Sequence, residues 1–516
     1  MNFANPDPSL NWQDRWPMIL LICLAAIIPL LMVNFPPLVD LYGHLGRYAV
    51  QTDLANRPEL QPFYSYRWQL IGNLGADLLV QLLHGVLGLE GAVRFTVILT
   101  QLLGALGLLL IAREVHGRIT PFAVAAIPLL YGYPFNYGFI NYALSMALAM
   151  LAFVVWLRLR RTNRMTGALI WLGASGAGIW ICHTYGWAFF GLLCGSAMLA
   201  QVILARMRPA AAVARIIGAC WPLLLPIIPM AIWRAEATGA ALSGWSFVFK
   251  LYWLISPLRT QWEHLDIGSV FVIVAALVLM RVLVRWFVWD LKMSLAAIVC
   301  FAAYAILPSV VFGSAFADMR LLPYAFALAL LAVRMQALGP KANAFVSTVA
   351  IGFFAARMVI TGTAYVVQDR EIQAELAALD KIPQGARVAF FVVKPCWAAW
   401  ESPVLDHIGG AAIARRNAFV NDQWQQPGVN PMTVHYPAAG RFDRDPSHLT
   451  QREDCSHQMR PKLSESIWSL PLDAFTHVWI VGEVGQSIFV PPRLERVPYT
   501  GAGQLYTVTP YSGDAP

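Results

Sequence analysis

The stretch "WPMILLICLAAIIPLLMVNFPPLVDLYGHLGRYAV", residues 16–50, decides the fold. Its first half, Trp16 to Val33, carries no charge and is long enough to cross the ~30 Å hydrocarbon core of a bilayer. Pro36 and Pro37 then open a segment in which Asp40, His44 and Arg47 stand four and then three residues apart. On a helix these three share one face. A carboxylate, an imidazole and a guanidinium therefore gather where the chain leaves the lipid.

The rest of the chain repeats the apolar block. Of 516 residues, 58% are hydrophobic and only 13% charged, against about a quarter charged in soluble proteins. Apolar runs of spanning character lie near 16–34, 93–112, 119–133, 138–158, 167–183, 187–206, 213–233, 268–288, 293–312, 320–337 and 342–362. The expected fold class is a polytopic α-helical membrane protein of about eleven transmembrane helices. In such a chain the formal charge of +8 marks cytoplasmic loops and is not a nucleic-acid signal. Most of the nineteen Trp suit interfacial belts. The first run lacks a small-residue cleavage site and reads as a retained span. Five cysteines lie in apolar runs. Cys396 and Cys455 fall in the polar C-terminal region, where spacing leaves a disulfide between them open.

Orientation follows from the basic loops. Clusters at Arg113/Arg118, Arg158–Arg164, Arg206–Arg215, Arg281–Lys292 and Arg334/Lys341 alternate with loops almost free of Lys and Arg. Placing the basic loops in the cytoplasm puts residue 90 outside. The segment "QLIGNLGADLLVQLLHGVLG", 69–88, is then expected not to cross, the alternative being a true span whose stripe faces other helices. Its Gln69, Asn73, Asp77, Gln81 and His84 form one polar stripe, as in an interfacial amphipathic helix. The N-terminus is expected in the cytoplasm of a bacterial inner membrane and the C-terminus in the periplasm. A transmembrane domain would fill 1–366, with long outer loops at 35–92 and 234–267. Residues 367–516 would form a small extracytoplasmic α/β domain. In it "RVAFFVV", "HVWIVG" and "QLYTVTP" read as strands and "EIQAELAALDKIP" as a helix. No phosphate loop, zinc spacing or nucleophile elbow occurs in it.

Polar residues near membrane depth are costly and are kept for function or for pairing. Asp40 can take a proton from an incoming hydroxyl, with His44 as its acid–base neighbour; otherwise it pairs with Arg47. One His and one Asp do not make a metal site, so no metal is expected. "FADMRLLP" sets Asp318 and Arg320 at the outer end of a span. A guanidinium there suits a phosphate or pyrophosphate, or else snorkels with Asp318 as its partner. "WICHTYGW" does the same for His183 and Tyr185, as packing residues or as a binding edge. "YGYPFNYGFINY" supplies Asn136 and Asn141 to an outer turn, where amides suit sugar hydroxyls or satisfy broken helix ends. In "GWSFVFKLYWLISPLRTQWEHLD", Arg259, Glu263 and His264 lie on an aromatic-rich interfacial segment where Arg259 can meet lipid phosphate. Asp406, His407, Arg415, Arg416 and His435 are too scattered to rank.

With its first span, a long outer loop bearing an Asp just past the membrane ("PPLVDLYGHLGRY"), amphipathic helices in that loop and a small C-terminal domain, the chain resembles the GT-C superfamily of polytopic glycosyltransferases. The second acid that many members place beside the first is absent from "VDLYGH". The resemblance implies an inverting transfer of a hexose or pentose from a polyprenyl-phosphate donor on the outer face. Asp40 would be the base, modulated by His44. Arg320, Arg259 and Arg47 would hold the carrier phosphate, and His183, Tyr185, Asn136, Asn141, Asp318 and His264 would contact substrate. It implies membrane lipids, the lipid-linked sugar and a glycan, lipid or protein acceptor as partners; no cofactor and no nucleic acid is read from the sequence, a divalent metal staying possible without support from it. The alternatives are a transporter or flippase for a lipid-linked substrate, or a non-catalytic envelope assembly protein.

Overall fold

A computed structural model describes residues 14–236, 242–311, 314–336, 338–426, 429–484 and 488–510. The expected N-terminal tail, part of the 234–267 loop and the last residues of the C-terminal domain lie outside them. The chain is a multi-pass helical membrane protein with a sheet-containing C-terminal region, and it divides into two compact units.

The first unit comprises 1–34, 70–78 and 95–364. Among the described residues, six helices are long and apolar enough to cross a membrane: Leu89–His116, Ile140–Arg161, Met165–Cys182, Thr184–Leu204, Glu263–Val282 and the one starting at Pro340. Shorter apolar helices include Trp16–Ala26, Leu291–Ile306 and Met319–Leu331. Leu20, Leu21, Leu24, Ile28 and Leu31 form an exposed apolar stripe, the surface a helix presents to lipid. Several expected spans are broken rather than continuous, the first of them dividing at Ile27 into Trp16–Ala26 and Ile28–Leu31. The 119–133 run forms helix Pro121–Ala126 followed by the 3-10 turn Ile127–Tyr131. The 213–233 run divides into Pro209–Cys220, Trp221–Leu224 and Ile227–Glu236. Pro128, Pro222 and Pro226 explain the breaks in these two runs, since a proline removes a donor and clashes with the preceding turn.

Two small ribbons tie loops together. Phe287–Trp289 pairs antiparallel with Val333–Met335, so the Arg281–Lys292 and Arg334/Lys341 clusters lie on one side of the bundle. Leu242–Ser243 pairs with Val310–Val311. At the end of Ile140–Arg161, Arg158 and Arg161 both bind Glu114, at 3.0 and 2.8 Å. Cations in a last turn also complement the helix dipole.

The second unit comprises 35–69, 79–94 and 365–516. Its sheet runs Leu494–Val497, Gln504–Val508, His477–Gly482, Arg387–Lys394, Phe419–Val420, with Leu449–Gln451 also on Arg387–Lys394. The central pair, Arg387–Lys394 and His477–Gly482, is parallel. Its near-continuous apolar sequence reflects burial on both faces. All three expected strands are present. "EIQAELAALDKIP" instead continues the long helix Pro340–Leu376 into the turn Ala377–Lys381. Cys396 and Cys455 are joined in a disulfide.

The 35–69 segment folds into this unit. Helix Leu41–Asp53 lies against Gly410–Arg416. A Cβ on Gly410 would sit 2.1 Å from the Tyr42 carbonyl oxygen, so only glycine permits this approach. Tyr64–Tyr66 pairs with Met432–Val434, and Arg415 forks onto Glu90 at 2.7 and 3.1 Å. The polar stripe is carried by a 13-residue helix, Gly75–Leu87, about 20 Å long and short of a hydrocarbon core. Gln69 and Asn73 precede it.

Candidate functional site

Asp40 caps helix Leu41–Asp53 in the second unit. Its backbone carbonyl accepts from the His44 N–H at 2.9 Å, which makes it the first turn's acceptor. The residue is only 8% exposed. An Asp40 carboxylate oxygen lies 3.9 Å from His407 Nε2. The His407 ring lies tilted against Trp424 with centroids 4.3 Å apart, and Trp424 reaches the His44 ring at 5.3 Å. Gly43 makes room for that indole, since a Cβ there would stand 2.5 Å from it. Arg47 is buried, with its guanidinium 4.9 Å from the Tyr48 ring. Asp40, His44 and Arg47 thus share one helix, and His407 and Trp424 arrive from more than 360 residues away.

Behind this group lies a second layer. His407 Nδ1 stands 3.2 Å from the Asp422 carbonyl oxygen. The His407 and His448 ring centroids are 5.2 Å apart, and His448 Nδ1 lies 3.8 Å from the Asp445 carboxylate. Lys394 binds the Asp406 carboxylate. Burial governs the charges. It pushes His407 down to about 4 and His448 well below the usual imidazole value. It pushes Asp422 up to about 7, and Asp445 up to about 6 with Asp406 adding to the rise. The two imidazoles are therefore neutral near pH 7, each with one lone pair.

The first unit holds a different constellation. Arg320 is buried in the turn Met319–Leu321. Its guanidinium lies 3.9 Å from the Phe139 ring, with Tyr185 and Tyr142 at 5.5 and 5.7 Å, and it donates to the Ala315 carbonyl at 2.8 Å. The Tyr142 hydroxyl donates to the Arg320 carbonyl. Asp318 binds Lys250 at 2.7 Å, and Lys250 also donates to the Tyr304 and Leu307 carbonyls. Lys250 is the partner that sequence reasoning missed. A lone lysine inside "FVFKLYW" was the available signal.

Arg259 is buried with its guanidinium 4.2 Å from the Tyr133 ring, and it donates to the Tyr252 hydroxyl at 2.9 Å. The flanking backbone is held on three consecutive residues. The Leu258 carbonyl accepts from Arg357, the Arg259 carbonyl from Asn136, and Thr260 donates through both its N–H and its hydroxyl to Asp266. Arg357 and Asp266 form a fully buried ion pair at 3.0 Å.

The Asn136 amide donates to the Tyr131 and Arg259 carbonyls. Asn141 donates to Asn73 O and Asp77 and accepts from the Ala76 N–H. Both amides satisfy backbone at chain breaks. His183 Nδ1 accepts from the Tyr185 N–H at 3.0 Å, which sets its proton on Nε2, and the Tyr185 hydroxyl donates to Ala317 O. His264 is exposed on helix Glu263–Val282. Of the five C-terminal residues too scattered to rank, His407 and Asp406 belong to the Asp40 neighbourhood. Arg415 and Arg416 form ion pairs with Glu90 and Asp380, and His435 meets the Ser65 hydroxyl.

No protein-family description and no curated protein sequence matches the chain. Two solved structures of ArnT from Cupriavidus metallidurans are similar to it, one bound to undecaprenyl phosphate and one in the apo state. Each is 12% identical over 95% of this chain and 97% of that one, with TM-scores of 0.45 and 0.47 respectively. Likeness at this level carries no argument about activity.

Proposed function

We propose that the chain is a glycosyltransferase of the bacterial inner membrane that moves a hexose or pentose from a polyprenyl-phosphate donor to an acceptor on the periplasmic face. The observation that carries this reading is the buried Asp40 carboxylate at the head of helix Leu41–Asp53, with the His407 ring 3.9 Å away. A carboxylate within hydrogen-bond reach of an incoming hydroxyl can take its proton. Asp40 deprotonates the acceptor hydroxyl, His44 modulates it, and attack on the anomeric carbon proceeds with inversion.

A polyprenyl phosphate leaves readily once its charge is held. Arg320 and Arg259 supply that charge, each guanidinium oriented by aromatic faces, and Arg47 adds a third cation. Tyr185, His183, Asn136, Asn141, Asp318 and His264 contribute contacts to the sugar or frame these arginines. The Cys396–Cys455 disulfide supports a periplasmic location for the C-terminal region, because the cytosol keeps thiols reduced. The charge alternation supports a cytoplasmic N-terminus.

The test is binding of a short-chain polyprenyl phosphate to the purified chain in detergent. Arg320→Ala and Arg259→Ala should each weaken it about tenfold or more, the value of a charge-assisted contact. Undiminished binding in both variants would remove the phosphate-holding role. A second reading, a transporter for a lipid-linked substrate, is favoured by the buried Lys250–Asp318 and Arg357–Asp266 pairs inside the helical unit. It predicts movement of a labelled lipid across vesicles with no change in its sugar.

A further inference from the structure

The second unit gathers metal-ligating atoms, of which the transferase reading uses only the His407 ring beside Asp40. One ligand atom each from His407, Asp445 and His448 lies within 4.8 Å of the others. His448 is fully buried, yet neither of its ring nitrogens makes a hydrogen bond of normal geometry. The Asp406 backbone acts on the ring as a hydrogen-bond partner for at most one nitrogen, so the other is costly to bury unless something binds it.

The electrostatics point to a cation. Lys394 is taken up by Asp406. The Asp445 carboxylate stands 3.8 Å from the His448 ring, and the Asp40 carboxylate stands 3.9 Å from the His407 ring. His407 Nδ1 faces the Asp422 carbonyl at 3.2 Å. Donation there leaves the Nε2 lone pair outward, the arrangement by which metal-binding histidines are oriented. The rings are inclined at 52° with centroids 5.2 Å apart, so both can turn a nitrogen toward one point. Ligand atoms around a tetrahedral ion with bonds near 2.0–2.1 Å stand about 3.3 Å apart. The present separations, up to 4.8 Å, therefore have to close by up to about 1.5 Å through side-chain rotation. Two imidazoles and a carboxylate select zinc or a similar first-row ion over calcium or magnesium, which take oxygen ligands. The other ligand-rich cluster, Cys396, Asp454 and Cys455, has its two sulfurs joined to each other.

We propose that His407, Asp445 and His448 form a zinc-type metal site in the second unit, with the Asp40 carboxylate 3.9 Å from His407 Nε2. The site stands on these residues and does not depend on the transferase reading.

The experiment uses the full chain purified in detergent, stripped with a chelator and titrated with Zn²⁺ or Co²⁺. One ion per chain is expected by elemental analysis after dialysis, with the visible bands of four-coordinate Co²⁺ and a rise in unfolding temperature on adding Zn²⁺. Loss of one ligand should weaken Zn²⁺ binding by more than the ~10–100-fold typical of changes just outside a metal's ligands. His407→Gln, His448→Gln and Asp445→Asn should each show that loss. Asp445 is only half-buried, so Asp445→Asn keeps the test open if a histidine variant aggregates. A stripped chain that takes up neither ion overturns the proposal, and so does uptake that is unchanged in the folded variants. Metal uptake is read without any sugar transfer. Failure of this proposal and failure of the transferase reading are therefore separate results.

Discussion

Replacing Arg357 by Met should be among the most damaging single changes in the helical unit. The Arg357 side chain is 2% exposed and Asp266 is 0% exposed, so water cannot take over either charge. Asp266 accepts from Arg357 and twice from Thr260, and Arg357 also donates to Leu258 O and to the Ser269 hydroxyl. Removing the guanidinium strands a buried carboxylate and frees a carbonyl. Breaking a buried pair on one side costs about 3–5 kcal/mol. The double variant Arg357→Met/Asp266→Asn removes the stranded charge while its amide oxygen still accepts from Thr260. It should therefore recover about 1–2 kcal/mol relative to the sum of the single variants. Thermal unfolding in detergent measures both quantities, and hydrogen exchange over 256–262 reports whether the backbone carrying Arg259 loosens. A single-variant cost below about 1 kcal/mol, or strict additivity, would refute the claim that this pair anchors that segment.

Asp422 should make the second unit's stability fall as pH rises. Its folded value, about 7, lies above the ordinary 3.8, so the folded state binds more protons between those values. Stability is present below pH 4 and is lost as pH climbs through 7, with a ceiling of about 4 kcal/mol. Asp422→Asn should therefore raise the unfolding temperature relative to wild type more at pH 8 than at pH 5, and the opposite ordering would contradict the assignment. The Cys396–Cys455 disulfide closes a separation of 59 residues. Cys455→Ser should cost about 2–4 kcal/mol on loop-entropy grounds, read by unfolding with and without reductant. An impermeant thiol reagent applied from outside should label engineered cysteines near residue 90 and on the exposed surface of the C-terminal region. Labelling at residue 90 only after the membrane is opened would reverse the topology.

Much of the bundle was legible because a spanning helix is a one-dimensional signal: apolar length bounded by charge. The breaks at Pro128, Pro222 and Pro226 were legible in principle from the prolines themselves. The strands at Arg387–Lys394 and His477–Gly482 were visible because burial on both faces makes them apolar throughout. Helix Leu41–Asp53 brings Asp40, His44 and Arg47 onto one element, as their spacing predicts. Their neighbours were not legible. His407 reaches Asp40 through tertiary folding across several hundred residues, with Trp424 and His448 against its ring and Asp445 against His448, and no local periodicity records such contacts. The same holds for Lys250 with Asp318 and Arg357 with Asp266. Asn136 and Asn141 show the reverse case, since amides that suit a sugar are bonded here to backbone.

The central claim is that the Asp40 carboxylate accepts the proton of the attacking hydroxyl, and the most direct measurement is sugar transfer by Asp40→Asn in native membranes. The amide keeps the shape of the helix cap but cannot act as a base. Transfer from a polyprenyl-phosphate-linked donor should drop about 10²–10⁴-fold, with the variant inserted at wild-type level and unfolding at a similar temperature. Transfer at the wild-type rate by that variant would contradict the account.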